Sequence, residues 1–184
     1  MQRYLELIQD ERLKAFINKV FTYPEVLESL AKPSTYNGHN HPADEFVQNG
    51  LALHSLRVCN LALNLYRSTP EPKPLEQDLI IVGSLLHDVP HKYLGSGFPN
   101  HNHAVDNCSW FLEVSESLDN ELRKEIGSII LNHMGKWNTS YSELFNQYPI
   151  TTLSWIVHLA DSISARRNVL VDVSDVDYLK ENLA

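Results

Sequence analysis

The chain has 184 residues, 43% of them hydrophobic and 21% charged, with a formal net charge of −8. That is the make-up of a soluble globular protein long enough to bury one substantial core. The acidic balance excludes a broad basic face for duplex nucleic acid, and no apolar run approaches the roughly twenty residues that span a bilayer.

The opening Met1-Gln2-Arg3-Tyr4-Leu5-Glu6 is charged from its first turns and has no signal-peptide core, which implies a cytoplasmic protein. A first helix is predicted over residues 3–20, where Leu7, Leu13, Phe16, Ile17 and Val20 fall near one face. A short helix over 24–30 follows, with Pro24 suited to its first turn. Residues 32–49 read as a loop punctuated by Pro33, Gly38, Pro42 and Asn49. A long helix over 51–66 carries His54, Val58, Leu61 and Leu65 at steps of four, three and four, so His54 shares the core-facing stripe.

Pro70, Pro72 and Pro74 break the chain before a helix over 75–88, which ends at Pro90. A loop with Gly95, Gly97, Pro99 and Asn100 leads to a helix over 103–114. The helix over 119–133 repeats the same stepping through Leu122, Ile126, Ile129 and His133. Residues 137–148 read as irregular or a short helix. A last long helix covers 149–168, and a weak one begins near 174. No convincing alternating strand, internal repeat or domain boundary occurs, so the expected fold is one all-α helical bundle. Cys59 and Cys108 sit among apolar neighbours in these helices, which predicts buried, reduced thiols rather than a disulfide scaffold.

Nine histidines occur, all between His39 and His158, where surface histidines would scatter more evenly. The informative pair is His87-Asp88, delivered by the apolar run Leu79, Ile80, Ile81, Val82, Leu85 and Leu86. Imidazole suits divalent transition metals, and a carboxylate can bind one ion or bridge two. Ile150, Leu153 and Val157 lead into Asp161 on one face. A carboxylate on a core face is costly unless paired or metal-bound. His54, His87, Asp88 and Asp161 therefore form the expected metal set. His103, opening one helix, and His133, closing another, would either hold a second ion across Asp88 or bind substrate phosphate around a single ion.

The order His54 … His87-Asp88 … Asp161 resembles the HD superfamily of metal-dependent phosphohydrolases, over most of residues 50–168. Within it the chain looks most like the HD domain of YhaM-type bacterial 3′→5′ exoribonucleases. The matching segments are Leu53-His54-Ser55, Leu85-Leu86-His87-Asp88-Val89, Asn132-His133-Met134-Gly135 and His158-Leu159-Ala160-Asp161. The resemblance implies an all-α HD-domain bundle spanning 1–184. Its metal-binding core would cover 50–168, with a helix and loop over 1–49 and a short extension over 169–184. It also implies one or two divalent ions per chain (Mn, Fe, Co, Ni, Zn or Mg) and cleavage of a phosphoester by a metal-activated hydroxide.

Three departures matter, and the third shapes the substrate. Pro90-His91 replaces the family's Gly-Lys, and Met134 replaces the second histidine of a His-His pair. Residues 1–49 read as helix and loop where those exoribonucleases carry an OB-type domain. Nucleotides, cyclic nucleotides or short oligonucleotides are thus the expected substrates, with no membrane partner, and the chain could form a homo-oligomer. The alternatives are a 3′→5′ single-strand nuclease and a non-catalytic nucleotide-binding sensor.

For phosphate, the candidate cations are Arg57, Lys92, Lys136, Arg166 and Arg167, with Lys92, Lys136 and Arg166 placed nearest the metal by their neighbours. Asp88, His91 and Lys92 are the expected catalytic groups, His91 as the proton donor to the leaving oxygen. Trp137 and Tyr141 could stack a base, although packed aromatics are commoner. His39, His41 and His101 are placed at the entrance.

Overall fold

The computed structural model describes residues 1–35, 41–92, 102–138 and 142–169, and among them helices are the only regular elements. They are α1 (Gln2–Leu7), α2 (Glu11–Val20), α3 (Pro24–Leu30), α4 (Gly50–Arg67), α5 (Pro74–Leu86), α6 (His103–Val114), α7 (Asn120–Asn132), α8 (Leu144–Gln147) and α9 (Thr152–Ser164), with 3₁₀ turns at Ala43–Glu45 and Gly135–Trp137. The all-α expectation holds. The weak helix expected from 174 lies outside the described residues.

The starts of these helices follow their local chemistry. Pro24 and Pro74 occupy first-turn positions of α3 and α5, where the missing N–H costs nothing. Asp119 caps α7 by accepting the Leu122 N–H. Thr151 and Ser154 cap α9 reciprocally.

The helix expected over 3–20 is instead two helices, broken at Ile8-Gln9-Asp10. The amphipathic spacing runs through the break, but two local bonds oppose continuation. Asp10 accepts the Arg12 and Leu13 N–H groups as the cap of α2. Asp78, buried on α5, accepts the Gln9 and Asp10 N–H groups at 2.9 and 2.8 Å. Backbone donors freed at the break are thus satisfied by a residue distant in sequence.

The core is formed by α4, α5, α7 and α9. α4 packs on α5 and α9, and α7 packs on α5, α6 and α9. Leu51, Val58, Ile80, Val82, Leu85, Ile126, Ile129 and Val157 are fully enclosed between them. Cys59 and Cys108 are buried free thiols, and burial pushes the Cys108 thiol up to about 12. No helix among the described residues is long and apolar enough to cross a membrane.

Gly83 sets how closely α5 and α7 approach. A methyl group there would sit 2.6 Å from Ile129 Cγ2 and 2.9 Å from its Cδ1. The two helices end at His87 and His133, so this contact sets the separation of those imidazoles. Gly83→Ala should lower stability by roughly 1–3 kcal/mol, the usual cost of overpacking a filled core. Urea unfolding checks this, and an unchanged midpoint would mean that the helices are not in such close contact.

Candidate metal centre

Five helices deliver side chains to one buried point. α4 contributes His54; the turn after α5 contributes His87, Asp88 and Lys92; α6 contributes His103; the end of α7 contributes His133; α9 contributes Asp161. His41 joins from the loop before α4. The histidines form a row, His41–His54–His87–His133–His103, with successive ring centroids 5.0, 5.4, 4.9 and 5.1 Å apart.

Asp88 lies at the centre, 2% exposed, and its two oxygens face different neighbours. Oδ2 is 3.3 Å from His87 Nε2 and 3.7 Å from His54 Nε2, and it pairs with the Lys92 ammonium. Oδ1 is 3.0 Å from His103 Nε2 and 3.4 Å from His133 Nε2. Asp161 Oδ1 approaches His54 Nε2 at 3.0 Å and His87 Nε2 at 3.9 Å.

The tautomers of two histidines follow from their partners. His87 Nδ1 lies 2.7 Å from the Ser84 carbonyl, and His133 Nδ1 lies 2.7 Å from the Ile130 carbonyl. A carbonyl only accepts, so each Nδ1 carries a proton, which leaves Nε2, facing Asp88, as the atom that would ligate a metal. His87 Nε2 is buried with no hydrogen-bond partner, an arrangement that a metal ion would satisfy. Burial pushes the His133 imidazole below its ordinary value, outweighing the nearby Asp88 carboxylate, and so keeps the ring in the ligating form. Burial raises the Asp88 carboxyl, but Lys92 and the surrounding histidines outweigh it and hold it ionised.

Groups of His54, His87 and Asp88, of His87, His133 and Asp161, and of Asp88, His103 and His133 each bring ligand atoms within 4.8 Å of one another. All six expected ligands are therefore together. Nitrogen and carboxylate donors in this mix suit a divalent transition metal.

The other expected residues divide. Lys92 and Arg166 line the cavity of about 370 Å³ that opens onto the cluster, with His41, Asp88, His103, His133, Met134, Trp137 and Asp161. Lys136 is exposed, with its ammonium 4.9 Å over the Trp137 ring rather than in the cavity wall. His91 lines a separate hollow with Asp106, Ser109, Trp110 and Glu113, so it is not brought to Asp88 as a proton donor. Arg57 is not a phosphate ligand candidate: 6% exposed, it is clamped on Asp44 at 2.6 Å and Glu45 at 2.7 Å. Arg167 is exposed and outside the cavity wall. His39, His101 and Tyr141 lie outside the described residues.

Two residues were missed. Glu45, fully buried, accepts from Arg57 and Ser34 and contacts His41 Nδ1 at 2.8 Å. Its Oε2 also lies 3.3 Å from His54 Nδ1, an ionic contact rather than an aligned hydrogen bond. The only sequence signal was an acidic pair, Asp44-Glu45, in a loop before a histidine helix that also carries Arg57. Asn107 accepts the His91 N–H and donates to the His87 carbonyl, so α6 clamps the His-Asp turn. Nothing in its sequence context marked it.

The HD domain family matches residues 51–166. A curated relative, named as a dihydroneopterin 2′,3′-cyclic phosphate phosphodiesterase from Methanocaldococcus jannaschii, is 25% identical over 91% of this chain and 70% of its own length. No solved structure matches the chain.

The charge balance around His54 gives a direct test. Burial lowers its imidazole, but the Glu45 charge and the hydrogen bond that its Nε2 gives to Asp161 win and raise it to about 9 from an ordinary 6.5. A raised folded value means that this group's stabilisation of the metal-free protein is complete below about pH 6.5 and lost as pH rises through about 9. NMR titration of chelated protein should find His54 protonating near that value, and Glu45→Gln should bring it down. Titration of wild-type His54 at its ordinary value would contradict this charge balance.

Proposed function

The chain belongs to the HD domain family, and from that premise we propose that it is a metal-dependent phosphohydrolase acting on small phosphoesters: nucleotides, cyclic nucleotides or short oligonucleotides. The observation that carries the reading is Asp88, with one oxygen toward His54 and His87 and the other toward His103 and His133, at the floor of an open cavity.

In this reading His54, His87, Asp88 and Asp161 hold one divalent ion, and Asp88, His103 and His133 hold a second. Bound ions supply a Lewis acid that makes water a nucleophile at neutral pH and offsets phosphoryl charge. The residues of the chain set the stage for that chemistry. Ser84 and Ile130 carbonyls fix the imidazoles, and Glu45 and Arg57 anchor His54 from behind. Lys92 and Arg166, in the cavity wall, meet the nonbridging oxygens of the substrate and stabilise their added charge. With His91 in a separate hollow, protonation of the leaving oxygen would fall to solvent or to Lys92 in the cavity wall.

The relative, named for its action on a 2′,3′-cyclic phosphate, supports a compact diester over a long RNA strand. The cavity volume points the same way, being in the range of pockets for one small ligand.

Elemental analysis of chain reconstituted with manganese should find two ions. His103→Ala with His133→Ala should reduce this to one, and His87→Ala with Asp88→Ala should abolish it. Arg166→Ala should lower kcat/KM by roughly ten- to a hundredfold, on the order of one lost transition-state contact, without changing metal content. A hydrolysis panel compares mononucleotides, 2′,3′-cyclic nucleotides, cyclic dinucleotides and a single strand of about twenty nucleotides, longer than the site of one OB fold. The small substrates should win, with weak salt dependence. Far more efficient degradation of the long strand would replace this reading with the YhaM-type single-strand nuclease, and binding of nucleotides without any hydrolysis would leave a sensor.

A further inference from the structure

One face beside the cavity is aromatic, exposed and held in place. Trp137 is 50% exposed although it lines the cavity, and Trp155 on α9 is 50% exposed. Between them lies His158, 8% exposed, with ring centroids 6.2 Å from Trp137 and 5.0 Å from Trp155. Leaving half of two tryptophans in water forfeits much of the burial that normally recruits this residue. Such a patch beside a ligand cavity marks a surface that is covered when the cavity is filled.

The backbone shows that the position of Trp137 is built rather than incidental. His133 points into the metal cluster, and the chain turns at once through Gly135–Trp137. The Trp137 N–H donates to the Met134 carbonyl at 3.2 Å, and the Asn138 N–H to the Gly135 carbonyl at 3.1 Å. Gly135 has φ +54, and a methyl group there would lie 2.4 Å from His158 Cε1. His158 in turn donates from Nδ1 to the His133 carbonyl at 2.6 Å. The turn that carries Trp137, the support behind it and the imidazole at Asp88 are thus tied through one backbone segment.

We propose that Trp137, backed by His158 and continued by Trp155, is a stacking shelf for a planar heterocycle carried by the substrate. The inference rests on reading the adjoining cavity as a phosphoester site, and it assigns the residues that would hold the ring of the substrates proposed there. Lys136 over the Trp137 ring does not block the shelf. An exposed cation–π contact is weaker than base–aromatic stacking, so a ring displaces it. Stacking tolerates any flat π-face, so the shelf selects for a ring without choosing among bases.

The test uses the full chain loaded with manganese and two probes, adenosine 5′-monophosphate and ribose 5-phosphate, with affinities read by calorimetry. The monophosphate with its base should bind tighter. Trp137→Ala should weaken it by about ten-fold, ~1.4 kcal/mol, while changing ribose 5-phosphate by less than about two-fold. Trp137→Phe should keep most of the difference, and sedimentation should show the same oligomeric state for all variants. Equal affinity of the two probes for the wild type, equal weakening of both by Trp137→Ala, or no effect of that variant would overturn the shelf. Loss of a dimer in Trp137→Ala, with unchanged monophosphate binding, would assign the face to a second copy of the chain instead. Ring-dependent binding in a chain that hydrolyses no phosphoester would leave the shelf standing and sink the hydrolase reading.

Discussion

A carboxylate enclosed in a protein must be compensated on every side, because desolvating its charge costs several kcal/mol even after relaxation. Asp88 is that carboxylate here. It is 2% exposed, and both oxygens are surrounded by nitrogen: Lys92, His87 and His54 on one side, His103 and His133 on the other. No single helix can supply such a shell. The arrangement of α4, α5, α6 and α7 follows from the need to bring four segments to one side chain, and α9 adds Asp161 against His54 and His87.

The imidazoles are oriented by a device used twice. His87 and His133 each sit just past the end of a helix, and each donates from Nδ1 to the carbonyl three residues back, Ser84 and Ile130. The last turn of a helix leaves carbonyls without intrahelical donors, so one bond both closes the helix and fixes the ring. The Nε2 lone pairs then converge without any dedicated second carboxylate. His54 lies inside α4, where no such carbonyl is free, and Glu45 takes that part from the preceding loop. Glu45 is itself held by Arg57, which explains why a charged residue one turn from His54 is buried rather than offered to substrate.

The convergence of His54, His87, Asp88 and Asp161 was legible because each ends or interrupts an apolar helical stripe, and a polar residue on a core face needs a reason. Pro24, in the first turn of α3, was a local signal that could also be read. What escaped depended on partners far away in sequence. The break between α1 and α2 relies on Asp78, and the clamp on the His-Asp turn relies on Asn107. Side-chain direction escaped as well. His91 and Lys136 are each within a few residues of a ligand, yet the turns that follow His87 and His133 aim one into another hollow and the other onto a tryptophan. Proximity in sequence fixes where a residue starts, while the turn decides where it points.

The proposal of two ions stands on Asp88 being shared between them. Its most direct test is a crystal structure of the manganese-loaded chain with anomalous difference density at the manganese edge. Two peaks should flank Asp88, one among His54, His87 and Asp161 and the other between His103 and His133. A single peak that leaves His103 and His133 free, or none in contact with Asp88, would contradict it.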